Sequence, residues 1–421
     1  MPRPPRDRCA PGSPLPPVLL LLPLLLGLLL LSPAPRVLAQ ERVELTVFAS
    51  DHYYIHTNLT QAETVPLGRH VDAVYERFTQ RFAGYRSATA PTLRMPLYLF
   101  RTQEQYLGFL RSYGIAAEGS GGMFFVTHRL RGLATWADDR PRSQTLRTLQ
   151  HEGFHQFAWH HLGRNLPTWL NEGLAQYFED AVILESGMKL GLANPQRLAL
   201  VRDALAFNYA LPLPELCQLD HHEWSHTLST NASRSELLYG QAWSLVFYLI
   251  HGDDGRYLPA FERYLRMLGT GKPPDDAFQI AFGYGAEEAM ETRWRRATLD
   301  QRLDAVTVAA ERLRFLAAAL NYKHQRREPM PRRLAQLRDD LQTRGFTLTR
   351  STHGLQEQYD ARQDELFTYT RPDGRARDFL MLEPAGHGLP PRLLAPGLDP
   401  EPSLEWSRSR DQTLTWQIQY R

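Results

Sequence analysis

The 421-residue sequence predicts an α+β fold: a small mixed β-sheet lobe leading into a helix pair and a helical lobe, then a C-terminal helical hairpin and a small β-rich appendage. Three observations carry this reading. Short alternating apolar runs follow residue 40, three- and four-residue apolar spacing dominates between Pro195 and Leu320, and alternation returns after Phe346.

Residues 1–39 stand apart from the fold. Arg3, Arg6 and Arg8 give a basic start, Val18 to Leu31 is almost wholly apolar, and Val37-Leu38-Ala39 before Gln40 fits a processing site. This pattern predicts a signal peptide and an exported chain, periplasmic or extracellular. Pro23 and Gly27 interrupt the apolar run, so a membrane is a partner only if the segment stays uncleaved. The formal charge is +2, and four Arg against one Asp put +3 on residues 1–39, leaving −1 on the remainder. A balance so near neutral favours neither nucleic acid nor an anionic surface as a partner. Cys9 lies in the leader, which leaves Cys217 without an intramolecular partner, and stability must come from a core.

Residues 40–300 are read as one domain. Val43 to Ala49, His52 to Thr57 and Met95 to Phe100 alternate as strands, Leu67 to Phe82 has helical spacing, and Met123 to Thr127 with Leu130 to Trp136 form two β-runs joined by a turn. Leu146, Leu149, Gly153 and Phe157 then stripe a helix from an N-cap at Ser143 to about Leu162, ended by Gly163. Asn165 and Pro167 open a second helix. Gly252 and Pro273-Pro274 break the helical stretch that follows. Residues 301–421 form a second region: Leu303 to Leu320 stripe a long helix, Lys323 to Pro331 link it to a helix marked by Leu334, Leu337 and Leu341, and Phe346 to Thr349, Leu366 to Thr370, Phe379 to Leu382 and Leu414 to Tyr420 alternate as strands.

The chemistry is concentrated in the helix pair. His151-Glu152-Gly153-Phe154-His155 is an H-E-x-x-H run, and residues four apart on a helix differ by only about 40°, so both imidazoles share a face and can hold one metal ion while Glu152 sits beside it. A catalytic zinc site needs a third protein ligand and an open position. One candidate is His161, six residues on, but Ala158 stands where a glycine would let the chain turn back, and a continuing helix carries His161 away from the His151/His155 face. The other is Glu172 on the second helix, with Leu170 and Leu174 flanking it for packing and Glu179 placed to accept a hydrogen bond from a ligand imidazole.

His151-Glu152-x-x-His155 followed by Leu166-Pro167-Thr168-Trp169-Leu170-Asn171-Glu172-Gly173-Leu174-Ala175 resembles the gluzincin zinc metallopeptidases, and within them the uncharacterised bacterial peptidase-MA-like domains, distantly of aminopeptidase-N type. The resemblance implies that Glu172 is the third zinc ligand. It also implies that Tyr239, in Tyr239-Gly240-Gln241-Ala242-Trp243, supports the oxyanion from the start of a helix. Two departures narrow it. Gly121-Gly122-Met123-Phe124-Phe125 carries Phe124 where aminopeptidases of this type use a glutamate to hold the substrate's amine, and Gln176 stands where thermolysin-like members have an aspartate.

These readings predict an exported zinc-dependent peptidase, an endopeptidase, with water activated by Glu152 and an extended peptide or protein substrate paired to one of the β-runs ahead of the zinc helix. The competing expectation is a peptidase-like domain that keeps its metal and serves as a non-catalytic binding or assembly module. Oligomeric state has no sequence signal.

Overall fold

Strands β1 (Thr46–Ala49) and β2 (Tyr53–Thr57) form an antiparallel hairpin in which Tyr53, Ile55 and Thr57 turn inward, the period-2 pattern of a half-covered strand. The computed structural model describes residues 43–85, 94–138, 140–352, 355–408 and 412–421, so the leader at 1–39 lies outside the described residues. Helix α1 (Gln61–Arg81) begins at a capping box, in which the Glu63 carboxylate accepts the Thr60 amide at 2.8 Å. It crosses back to β3 (Met95–Phe100), parallel to β2. After α2 (Gln103–Ser112), β4 (Gly122–Val126) and β5 (Arg131–Trp136) complete a mixed sheet of order β1-β2-β3-β5-β4, so that β4 is an edge. Residues alternate between two cores along β3. Leu97 and Leu99 join the main apolar cluster, whereas Tyr98 and Phe100 pack with Tyr106 and Leu110 of α2.

Helices α3 (Arg142–His161) and α4 (Thr168–Glu179) follow. Leu149, Gly153 and Phe157 of the predicted stripe are buried and Leu146 is half-buried. The caps fall elsewhere than expected. Pro141 occupies the N-cap of α3 and Ser143 is exposed inside the first turn; α4 starts at Thr168, with Pro167 extended at its N-cap and Asn165 in the connecting loop. A proline held near φ −60° suits the extended residue before a helix as well as its first turn. Phe78 and Phe82 from α1 and its C-cap meet Phe154, Phe157 and Phe178, with centroid separations from 4.9 to 6.1 Å. Each such ring contributes about 1.5–3 kcal/mol by burial, and together they fix α3 and α4 against α1.

A hairpin of β6 (Val182–Leu184) and β7 (Gly187–Lys189) leads to the helical lobe: α5 (Pro195–Ala206), α6 (Leu213–Gln218), α7 (His221–Thr230), α8 (Ala232–His251), α9 (Leu258–Gly269), α10 (Pro274–Phe282) and α11 (Ala286–Asp300). The breaks at Gly252 and Pro273 fall where the spacing puts them. A separate apolar cluster gathers around α12 (Ala305–Gln325) and α13 (Leu334–Thr343) with the β-rich region. There β8 (Thr347–Thr352) pairs β9 (Leu355–Asp360), β10 (Thr368–Thr370) pairs β11 (Ala376–Asp378), and β12 (Leu380–Leu382), β13 (Arg392–Leu394), β14 (Pro402–Arg408) and β15 (Leu414–Tyr420) form a four-stranded antiparallel sheet. The run Leu366 to Thr370 is a strand only from Thr368; Asp364–Phe367 is a 3-10 turn that buries Leu366 and Phe367. The architecture is the α+β one expected. Among the described residues no helix is long and apolar enough to cross a membrane.

Candidate metal centre

One turn of α3 separates His151 from His155, and their Nε2 atoms stand 3.2 Å apart. From α4, Glu172 brings Oε2 to 3.6 Å from His151 Nε2 and 3.4 Å from His155 Nε2. Four ligands around one ion at bonds of about 2.05 Å have neighbouring donor atoms about 3.3 Å apart. The three observed edges bracket that spacing, so this cluster could hold a metal ion. Oε2 of Glu172 is buried and accepts no hydrogen bond, although a buried carboxylate oxygen is costly to leave without a partner.

The segment that delivers Glu172 is explained residue by residue. Trp169, Leu170, Leu174 and Ala175 are buried, and the Trp169 ring stacks on Tyr264 at 6.5 Å. Gly173 lies against α8: a Cβ there would stand 2.5 Å from the Ala242 carbonyl oxygen and 2.7 Å from Val246 Cγ2. Only a residue without a side chain permits α4 and α8 to approach so closely. That approach also brings Tyr239, in the middle of α8 and not at a helix start, to 6.4 Å between ring centroids from His151. Trp224 of α7, buried, holds the Tyr239 ring edge-to-face at 5.6 Å.

Glu152 stands outside the triangle, and its Oε2 accepts the Phe124 amide of edge strand β4 at 2.8 Å. Gly122, two residues earlier, makes room for this contact, since a Cβ there would meet Thr148 Cγ2 at 2.5 Å and Glu152 Cγ at 3.2 Å. Behind the imidazoles, Glu179 Oε2 lies 3.3 Å from His151 Nδ1. Glu179 and Asp180 are in turn bound by two arginines: Arg147 at 2.9 and 2.6 Å, and Arg197, 3.5 Å from Glu179 and paired closely with Asp180.

Charge counting shows what the site lacks. Arg147 and Arg197 balance Glu179 and Asp180, whereas among the described residues Glu172 pairs only with imidazoles and Glu152 with no cation. Burial opposes a charge on His151, but Glu172 and Glu179 outweigh it and raise its pKa to about 10. Burial would likewise raise Glu172, and the neighbouring His155 and His151 override it to hold the carboxyl well below the usual range. Both shifts express one demand for positive charge, which a dication meets with neutral imidazoles. Burial, then Glu172, lifts the Tyr239 phenol well above its ordinary pKa and keeps it a proton donor.

His161 belongs elsewhere. It is fully buried, stacks on Phe157 at 4.4 Å and bonds the Tyr75 hydroxyl through Nε2 at 2.9 Å, as the unbroken helix through Ala158 requires. Arg147, Asp180, Arg197 and Trp224 were not legible as site residues. Arg147, four residues before His151 on the same helix face, gave the one usable signal.

The triangle opens on a cleft of about 440 Å³ whose walls include His155, Glu172, Phe124, Trp159 and His221. Residues 145–275 match a family described as a protein of unknown function (DUF1570), a stretch that runs from the first turns of α3 into α10 and encloses all five candidate site residues. No curated protein matches the chain.

Proposed function

We propose that the chain is a zinc-dependent peptidase of gluzincin type that hydrolyses internal peptide bonds, with His151, His155 and Glu172 as zinc ligands, Glu152 as general base and Tyr239 as oxyanion donor. The carrying observation is the pairing of a ligand triangle at tetrahedral spacing with a carboxylate, Glu152, that belongs to no ion pair among the described residues and is aimed by a backbone amide. Two imidazoles and one carboxylate with an open fourth position are the donor set of catalytic zinc. When bound there, zinc would polarise a substrate carbonyl and lower the pKa of water.

The remaining steps fall to the protein. With Oε2 held by Phe124, the other oxygen of Glu152 is available to take a proton from water as the water oxygen attacks the scissile carbonyl carbon. Tyr239 donates its phenolic hydrogen to the oxygen on which negative charge develops. Glu152 then passes its proton to the amide nitrogen as the carbon–nitrogen bond breaks, so each proton removed is returned. Beside this group β4 is a sheet edge, and Gly122, Phe124 and Val126 turn their backbone groups outward, away from β5, where an extended peptide could add as a further strand. Export is supported by the charge and apolar pattern of residues 1–39.

The test compares the mature chain with its E152Q variant on unfolded polypeptides, with metal content measured on both. The expected outcome is equal zinc near one per chain and a loss of about 10²–10⁴-fold in cleavage rate. Cleavage by both, or by neither, removes the catalytic reading.

A further inference from the structure

Away from the ligand triangle the cleft changes character. Phe124 and Val126 of β4 and Trp159 of α3 make an apolar wall, with the Phe124 and Trp159 rings 6.1 Å apart. The guanidinium of Arg164 lies over the Trp159 indole, 4.8 Å from its centroid, on an exposed residue that makes no ion pair among the described residues. Arg131, the first residue of β5, adds a second positive charge nearby: burial, then the charges of Arg131 and Arg164, lower the His160 pKa to about 4. One end of the cleft therefore carries the Glu172 carboxylate, and the other an indole beneath the Arg164 guanidinium.

We infer that Arg164 is a specificity-determining residue that receives a carboxylate of the bound chain, beside an apolar side chain seated against Phe124 and Trp159. The inference rests on the peptidase reading for what occupies the cleft. A guanidinium held over an indole leaves its planar fork of donors free and gives up rotational freedom before a ligand arrives, and that fork fits a carboxylate in two parallel hydrogen bonds. Trp159 lies one helical turn beyond His155, about 6 Å along the axis. An extended peptide advances about 3.3 Å per residue, so the carboxylate stands about two residues from the reacting bond. Its source is either an acidic side chain or a free C terminus; the second would make the enzyme trim chain ends.

The test uses the full mature chain carrying E152Q and three fluorescent peptides sharing a neutral Ala/Leu/Phe core. One is amidated, one is amidated with a glutamate two residues to either side of the central Leu–Phe bond, and one ends in a free carboxylate two residues past it. Binding is measured by anisotropy, alone and with R164Q or R164K added. A carboxylate peptide should bind on the order of 10–100-fold more tightly than the neutral one, and R164Q should erase that difference. R164K, which keeps the charge and loses the fork, should restore only part of it. Preference for the glutamate peptide identifies a side chain, and preference for the free acid identifies a terminus. No carboxylate-dependent difference, or one that survives R164Q, overturns the inference. Cleavage by the chain with Glu152 intact is scored separately. Selective binding without cleavage would sink the peptidase reading and leave the clamp, whereas cleavage without selectivity would do the reverse.

Discussion

Two networks of acidic and basic side chains in this molecule, one beside α13 and one behind α3, end differently. Around α13, Lys323 pairs Glu328 at 3.0 Å and Asp340 at 2.6 Å, Arg344 reaches the same two carboxylates and Arg326 adds a contact to Glu328 at 3.2 Å, so neither carboxylate is left without a cation. Behind α3, Arg147 and Arg197 close on Glu179 and Asp180 in the same way, but the ladder continues through His151 to Glu172, a carboxylate in the wall of a cleft whose ion-pair partners among the described residues are imidazoles alone. A network that closes on itself positions backbone. One that leaves a charge remainder in a cavity is organised for something brought from outside.

The sharpest way to break this contrast is to remove the remainder. E172A should abolish stoichiometric metal, measured by elemental analysis after dialysis, whereas E328A at the closed network should leave it unchanged. H161A should also retain metal, because that imidazole belongs to Tyr75. Retention by E172A, or loss only in H161A, would reassign the third ligand. Wild-type protein should lose about 2.7 kcal/mol of unfolding free energy when chelator strips an ion held at a hundred times its dissociation constant. Next in size is E179Q, which keeps the shape of a group 3.3 Å from His151 Nδ1 and removes its charge. Metal affinity should fall about 10–100-fold, read by competition with a chromogenic chelator, while D340N at the matching position of the closed network should not move it.

How much of this was readable in advance follows the same division. His151, Glu152 and His155 were visible because helix geometry links residues four apart without reference to the rest of the fold, and Glu172 because a short, tightly packed motif delivers it. Gly173 belongs to that motif for a reason found on another helix, the carbonyl of Ala242. Arg197 and Trp224 reach the site from α5 and α7, and no local spacing ties them to α3. Short strands were the weakest part. β6, β7, β11 and β13 span three residues each, too few for alternation to register, and Leu366 and Phe367 mimic a strand while burying themselves from a 3-10 turn.

A smaller effect separates the metal demand from ordinary acid sensitivity. His70 on α1 is flanked by α3, and burial, its largest cause, lowers its pKa to about 4. Its folded value lies below the unfolded value near 6.5, so the unfolded chain takes the proton first. The stability it contributes is complete above about pH 6.5 and declines as pH falls toward 4. By pH 5.5 the loss should be about 1 kcal/mol, and urea midpoints of metal-free protein should show it. H70Q should lessen that part of the slope while leaving metal content at pH 7.5 unchanged. A slope between pH 6.5 and 5.5 that is undiminished in H70Q would belong instead to the other imidazoles whose pKa burial lowers, His56, His160 and His251.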